Sequence, residues 1–116
     1  MGVPVLEDIV RQHAEQAAFL WNIYDDALLN PDHPDNEDMD EERIARVEEQ
    51  LNAHLDGLRV AGAGGLAIAE ERYAEFPEAG ELFVLRMLQP AALELTVGEL
   101  DLERVREYLR AHIKPE

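Results

Sequence analysis

The sequence lacks cysteine and serine altogether, and it has one threonine, Thr96, and one lysine, Lys114. Without cysteine the chain can form neither a disulfide bond nor a thiolate metal site. Covalent catalysis usually takes its nucleophile from these four residue types. Thr96 stands three residues before Glu99, the spacing of a helix capping box, and Lys114 lies in the terminal tail. We therefore expect no catalytic residue, no cofactor and no enzymatic activity.

Positive charge is also scarce, since 10 basic residues face 26 acidic ones and the net charge is −16. Nucleic acids and anionic membranes repel such a surface, whereas a basic protein would be attracted to it. No apolar run approaches the ~20 residues that span a bilayer. The N-terminus turns acidic at Glu7 and Asp8, before a signal peptide could form. We therefore expect a cytoplasmic protein whose partner is another protein; the oligomeric state stays open.

Strand-forming residues are few, because Val, Ile and Thr together number 14, whereas Ala, Leu, Glu, Arg and Lys make up 58 of the 116 residues. This composition predicts an all-α fold, with residues 1–116 forming a single helical domain. Two stretches, 5–29 and 40–61, carry apolar residues at steps of three and four, as in amphipathic helices. The acidic loop 29–40 joins them, so the simplest arrangement is a long antiparallel helical hairpin.

Shorter helices are predicted after the hairpin. The glycine-rich stretch "GAGG", residues 62–65, is expected to end the second helix. A fourth helix is expected to begin at Pro77, and its segment "ELFVLRML" is apolar nearly all round, which predicts the most buried helix. Residues 91–97 fit a helix, a strand or a loop, and a last helix is predicted over 101–113. Such a succession is typical of the start of a HEAT-like α-solenoid more than of a four-helix bundle.

Two segments carry a family resemblance: "VLEDIVRQHAEQAAFLW" (5–21) and "AHLDGLRVAGAGG" (53–65). They resemble the N-terminal segment of a family of bacterial HEAT-repeat proteins without an assigned activity, often encoded beside type VI secretion genes. The resemblance covers about the first 65 residues, and family members are usually several times longer. It implies a repeat scaffold that serves as an adaptor, chaperone or immunity-type accessory of a secretion system. It brings no catalytic residues.

Two histidines, His13 and His54, fall on the apolar stripes of the first two helices. A di-metal site between helices would need Glu-x-x-His pairs. The positions three before His13, His54 and His112 are instead apolar: Val10, Leu51 and Leu109. The sequence therefore predicts a hydrogen-bonded histidine pair between the helices, and a metal-dependent enzyme ranks only third among the functions considered.

The acidic loop has part of the spacing of a calcium loop. Its oxygen ligands would be Asp38, Asp40, Glu42 and Glu49. Arg43, however, stands where an EF-hand needs glycine for its sharp turn. We therefore expect no metal there, and we interpret the loop as a connection whose acids favour the start of the second helix.

Two surfaces are candidates for binding a partner protein. Residues 25–56 hold twelve acids against two arginines, Arg43 and Arg46, so the loop could be a decoy that masks a basic, nucleic-acid-binding toxin or enzyme. The candidate loop residues are Asp35, Glu37, Asp38, Asp40, Glu41 and Glu42. Phe19 and Trp21 flank the apolar stripe of the first helix and are the aromatic candidates. We expect docking on a helix surface to be the main mode and the acidic decoy to be the alternative.

Overall fold

The computed structural model describes the backbone of residues 4–113 and the side chains of residues 7–113, so Lys114 lies outside the described part. The α-helices are α1 Pro4–Leu29, α2 Glu41–Val60, α3 Ala63–Glu75, α4 Ala79–Met87 and α5 Leu102–His112. Two 3-10 helices, Pro34–Asn36 and Val97–Glu99, lie in the connections. Residues 4–113 contain no strand, which confirms the all-α prediction. None of these helices is both long enough and apolar enough to cross a membrane.

Aspartate side chains set the starts of α2 and α5. The Asp40 carboxylate accepts a hydrogen bond from the backbone N–H of Arg43 at 2.9 Å, and Asp101 accepts one from that of Arg104 at 3.3 Å. Each bond satisfies one of the N–H groups that a first helical turn leaves free. Asp40, a candidate for partner binding, therefore also has a structural role as the cap of α2.

The glycine-rich stretch 62–65 follows the end of α2, as expected, and it also contains the start of α3. Only Gly62 takes a positive φ, 61°, while Ala63, Gly64 and Gly65 already form the first turn of α3. One left-handed residue is enough to turn the chain between two helices. Gly65 is needed for a different reason, because a Cβ there would collide with the backbone carbonyl of Leu58. The glycines thus let α3 start directly after α2.

Helix α4 has the largest buried share among the described helices, as predicted, with Leu82, Phe83, Val84 and Met87 all buried. It begins at Ala79 rather than at Pro77, because Glu78 keeps an extended conformation as the N-cap.

The uncertain segment 91–97 forms turns that lead into the short helix Val97–Glu99. The Thr96 backbone N–H and hydroxyl both donate to Glu99 Oε1, at 2.8 and 2.9 Å. The predicted capping box therefore exists, although it caps this single turn and not α5.

The core is arranged around α1, which packs against α2, α3 and α4. Trp21 is 1% exposed and stacks on Phe83 of α4, with ring centroids 4.0 Å apart and planes inclined by 6°. Trp21 is therefore a core residue, and its candidacy for binding a partner is wrong. Helix α4 covers the second side of α1, and this side is where the indole ring projects.

Polar contacts fix the C-terminal region to the first two helices. Arg59 of α2 donates through Nη2 to the carbonyl oxygens of Met87 and Ala92, at 3.2 and 3.0 Å. Arg106 of α5 donates to Asp25 of α1 at 2.7 Å. The two Arg59 bonds satisfy carbonyl groups at the end of α4 and in the following turn. Asp25 lies near the end of α1, and the first turns of α1 lie at the other end of that helix, beside the last turn of α2.

Candidate functional site

An open groove of about 870 Å³ lies at that end, between the first turns of α1, the last turn of α2 and the first half of α3. Its apolar walls are formed by two residues from each helix: Ile9, Val10, Val60, Ala61, Ala67 and Ile68. Two of them face solvent to an unusual degree, since Ile9 is 44% and Val60 is 89% exposed. Contiguous apolar surface of this kind, rimmed by polar residues, commonly marks a binding site.

The rim of the groove is acidic. Glu7, Asp56 and Glu71 line it, and their side chains are 63%, 71% and 58% exposed. Arg11 lies 3.2 Å from Glu71 and 3.7 Å from Glu7, and Arg59 lies 3.4 Å from Asp56. Both arginines are more buried than the carboxylates, at 28% and 12% exposed. Neither is among the described lining residues, so an incoming group meets the carboxylates first.

His13, on the floor of the groove, belongs to the predicted histidine pair. His13 Nδ1 and His54 Nδ1 are 3.0 Å apart, which confirms the hydrogen bond between α1 and α2. One ring must donate and the other must accept, so the two rings cannot both be imidazolium cations while the bond exists. Burial, followed by repulsion from charge on His13, lowers the pKa of His54 below its ordinary value. The lowered pKa favours the neutral form of His54.

Gly57 is the residue that lets the two helices approach at this point. A Cβ at position 57 would lie 2.6 Å from Cδ2 and 2.7 Å from Nε2 of His13. The imidazole therefore rests directly on the α2 backbone, and its outer edge forms part of the groove surface. Among the described residues, no group of three or more His, Asp or Glu side chains is placed to hold a metal ion.

The acidic loop is the second candidate surface, and it is an ordered one. The buried Asn36 donates through Nδ2 to the Asn30 carbonyl at 2.9 Å and to the Asp26 carboxylate at 3.1 Å. Bonds from Asn36 and then Asn30 lower the pKa of Asp26. All six acidic candidates are exposed: Asp35, Glu37, Asp38 and Asp40 in the loop, and Glu41 and Glu42 in the first turn of α2. The loop thus presents its charges from a fixed backbone.

The remaining aromatic candidate, Phe19, is 59% exposed. It lies one turn after Glu15, which pairs with Arg72 at 3.3 Å, and the Arg72 guanidinium lies over the Phe76 ring at 4.9 Å. Phe76 is 40% exposed. Phe19 is therefore accessible to a partner, whereas Trp21 is not.

Sequence reasoning missed the groove. A signal was present, because Val60 falls off the apolar stripe of α2 and stands next to the glycine-rich junction. An apolar residue off the stripe is a candidate for contact with another surface, but its neighbours Ile9 and Ile68 come from other helices and become apparent only in three dimensions.

Comparison of the chain with protein-family models, with curated proteins and with solved structures found no significant match. The resemblance to secretion-associated HEAT-repeat proteins therefore stays a prediction.

Proposed function

We propose that the protein is a non-enzymatic helical module that binds another protein through the groove between α1, α2 and α3. The observation that supports this most strongly is that Ile9 of α1 and Val60 of α2 are both exposed and line the same apolar groove. Burying apolar surface stabilises a complex by roughly 25 cal/mol for each Å² removed from water. The groove offers such surface without any rearrangement of the core.

The architecture that we propose is an antiparallel hairpin of α1 and α2 that begins a HEAT-like array. Two cross-helix bonds support it: His13 pairs with His54, and the Tyr24 hydroxyl donates to Glu48 at 2.8 Å. Residue numbers thus rise along α1 as they fall along α2. Helical arrays of this type bind partners along their helix surfaces. Together with the sequence resemblance, this supports a role as an adaptor, chaperone or immunity-type accessory of a bacterial secretion system.

Site-specific photo-crosslinking tests the proposal. A benzoylphenylalanine at Val60, Phe19, Asp38 or Glu107 samples the groove, the α1 surface, the loop and a control position on α5, all of them exposed. In cells that naturally make the protein, we expect a discrete protein adduct from Val60 and none from Glu107. The absence of any protein adduct from all four positions would contradict the proposal.

The acidic decoy remains the alternative because the loop displays exposed carboxylates on an ordered backbone. Under that function the adduct should form from Asp38 and not from Val60. Reversing Glu37, Asp38, Glu41 and Glu42 to Lys should then slow association of the captured partner more than it speeds dissociation, since steering charges act on the encounter. Binding through the groove should keep its dissociation rate and its adduct from Val60 in this variant, which leaves the Asp40 cap intact.

A further inference from the structure

We propose that the occupant of the groove is a cationic amphipathic helix of the partner protein, an inference that rests on the proposed function. The apolar face of that helix would lie on Ile9, Val60 and Ile68. Its lysine or arginine side chains would reach Glu7, Asp56 and Glu71 on the rim. The length, the polarity and the charge of the groove each support this occupant.

The length of the groove suits a helical segment. Its α1 wall runs from Glu7 to His13 and its α3 wall from Gly64 to Glu71. At a rise of 1.5 Å per residue, these walls are each about 10 Å long, or about two helical turns. Two turns of an amphipathic helix present apolar anchors at positions i, i+3 or i+4, and i+7. Three such anchors match three apolar walls.

The polarity of the groove favours a helix over a small molecule. Small ligands are usually oriented by a few polar groups directed into their pocket. Here the walls are apolar, and His13, on the floor, already uses Nδ1 to bond His54. The carboxylates lie at the edge, where they are exposed. This pattern of an apolar centre and a charged rim is the usual anatomy of a protein interface.

The sign of the charge selects a cationic partner. The three charged residues that line the groove are all acidic; they outnumber Arg11 and Arg59, the two more buried arginines that pair with them, and the whole chain carries a net charge of −16. Exposed carboxylates attract lysine and arginine and repel acidic groups, and the overall field speeds the approach of a cation. An acidic helix of equal hydrophobicity should therefore be excluded.

Designed peptides can test the proposal with the intact protein. The probe is a fluorescein-labelled 18-residue peptide of Leu and Lys with one apolar helical face. The first control replaces every Lys by Glu, and the second scrambles the order so that no apolar face forms. Fluorescence anisotropy should show saturable, salt-sensitive binding of the first peptide alone. Equal binding of the Glu peptide would overturn the cationic requirement, and equal binding of the scrambled peptide would overturn the helical one.

Protein variants locate the binding. Val60→Asn should weaken binding roughly five- to tenfold, because it removes the apolar contact of one exposed aliphatic side chain. Leu29→Asn is the matched control: Leu29 is 53% exposed and likewise ends a helix, but it lies outside the groove. We expect its effect to stay within about twofold, as for a surface residue without contact to the ligand. A larger loss from Leu29→Asn than from Val60→Asn would contradict the proposal.

A second pair of variants separates groove charge from total charge. Glu7→Gln, Asp56→Asn and Glu71→Gln together leave a net charge of −13, as do Glu37→Gln and Asp38→Asn in the loop together with Glu41→Gln at the start of α2. We expect only the groove triple to weaken binding clearly. A stronger effect of the loop triple would identify the loop as the binding surface and overturn the proposal.

These experiments distinguish failure of this inference from failure of the proposed function. If no peptide binds but Val60 still forms a protein adduct in cells, the groove binds a partner of another chemistry, and only this inference fails. If neither occurs, both fail. Thermal melting of each variant establishes that it is folded.

Discussion

Helix α1 has two faces that the fold uses in opposite ways. Toward α4 it presents small and aromatic residues, and Ala17, Ala18 and Trp21 are each at most 2% exposed. Toward the groove it presents Ile9, which is 44% exposed, and His13. Both faces are apolar, so hydrophobicity does not distinguish them. The difference is whether a second helix approaches closely enough to exclude water.

Replacing Trp21 by Ala should have the largest effect on stability. The indole is fully buried against Phe83, and truncating a buried large aromatic residue costs about 3–5 kcal/mol in lost burial and cavity formation. Phe19→Ala, two residues away on an exposed position, should change the free energy of unfolding by less than about 1 kcal/mol. Urea denaturation followed by circular dichroism measures both.

This pair also tests the corrected position of Trp21. If Trp21→Ala were as mild as Phe19→Ala, the indole would have to lie on the surface and the close contact of α1 and α4 would be wrong. Neither variant changes the charge, so the comparison does not depend on salt concentration.

Two glycines at equivalent helical positions give the second prediction. Gly80 and Gly64 are each the second residue of their helix, in α4 and α3. A Cβ on Gly80 would lie 2.6 Å from the Ala18 carbonyl oxygen, whereas a Cβ on Gly64 would meet nothing within 4 Å. Gly80→Ala should therefore destabilise the protein by about 1–3 kcal/mol through overpacking. Gly64→Ala should stabilise it by up to about 1 kcal/mol, because alanine loses less backbone entropy.

The melting temperatures of the two alanine variants, compared with that of the wild type, measure these changes in stability. Equal stabilisation by both substitutions would show that α1 and α4 are further apart than described. Equal destabilisation would show that the groove is closed by another segment at Gly64.

Local signals in the sequence were sufficient to predict the helices. The steps of three and four fixed the extents of α1 and α2 to within one residue, and Asp40 and Asp101 mark helix starts through their short, polar side chains. The histidine pair was also predictable, because His13 and His54 fall on the two stripes that face each other. In each case the cause lies within one helix or between two adjacent ones.

The position of Trp21 could not be predicted in this way. A stripe at helical spacing describes a helix with one neighbour, but α1 has three, so Leu20, Trp21 and Tyr24 are all buried and only Phe19 is not. The groove escaped prediction for the converse reason. Its walls come from three helices, so it exists only once these helices are placed together. In the sequence its apolar residues look like core residues, and only the structure of residues 4–113 shows that no other helix covers them.

The smallest effect is expected from the histidine pair, as a dependence of stability on pH. The pKa of His54 in the folded protein lies below its ordinary value of 6.5. The unfolded chain therefore takes up a proton first as the pH falls, and stability decreases from about pH 6.5 down to the lowered pKa. Above about pH 7.5 the group is neutral in both states and contributes no pH dependence.

His54→Gln should reduce this loss, and His33→Gln, in the exposed loop, serves as the control. Carboxylate titration is common to all three chains, so it largely cancels when each variant is compared with the wild type at the same pH. Urea denaturation midpoints at pH 7.5 and pH 5.5 give the stability difference between variant and wild type at each pH, and the change in that difference between the two pH values is the quantity of interest. We expect the stability of His54→Gln relative to the wild type to rise on acidification, and that of His33→Gln to show no such rise. A pH dependence of His54→Gln identical to that of the wild type would mean that folding does not lower the pKa of His54.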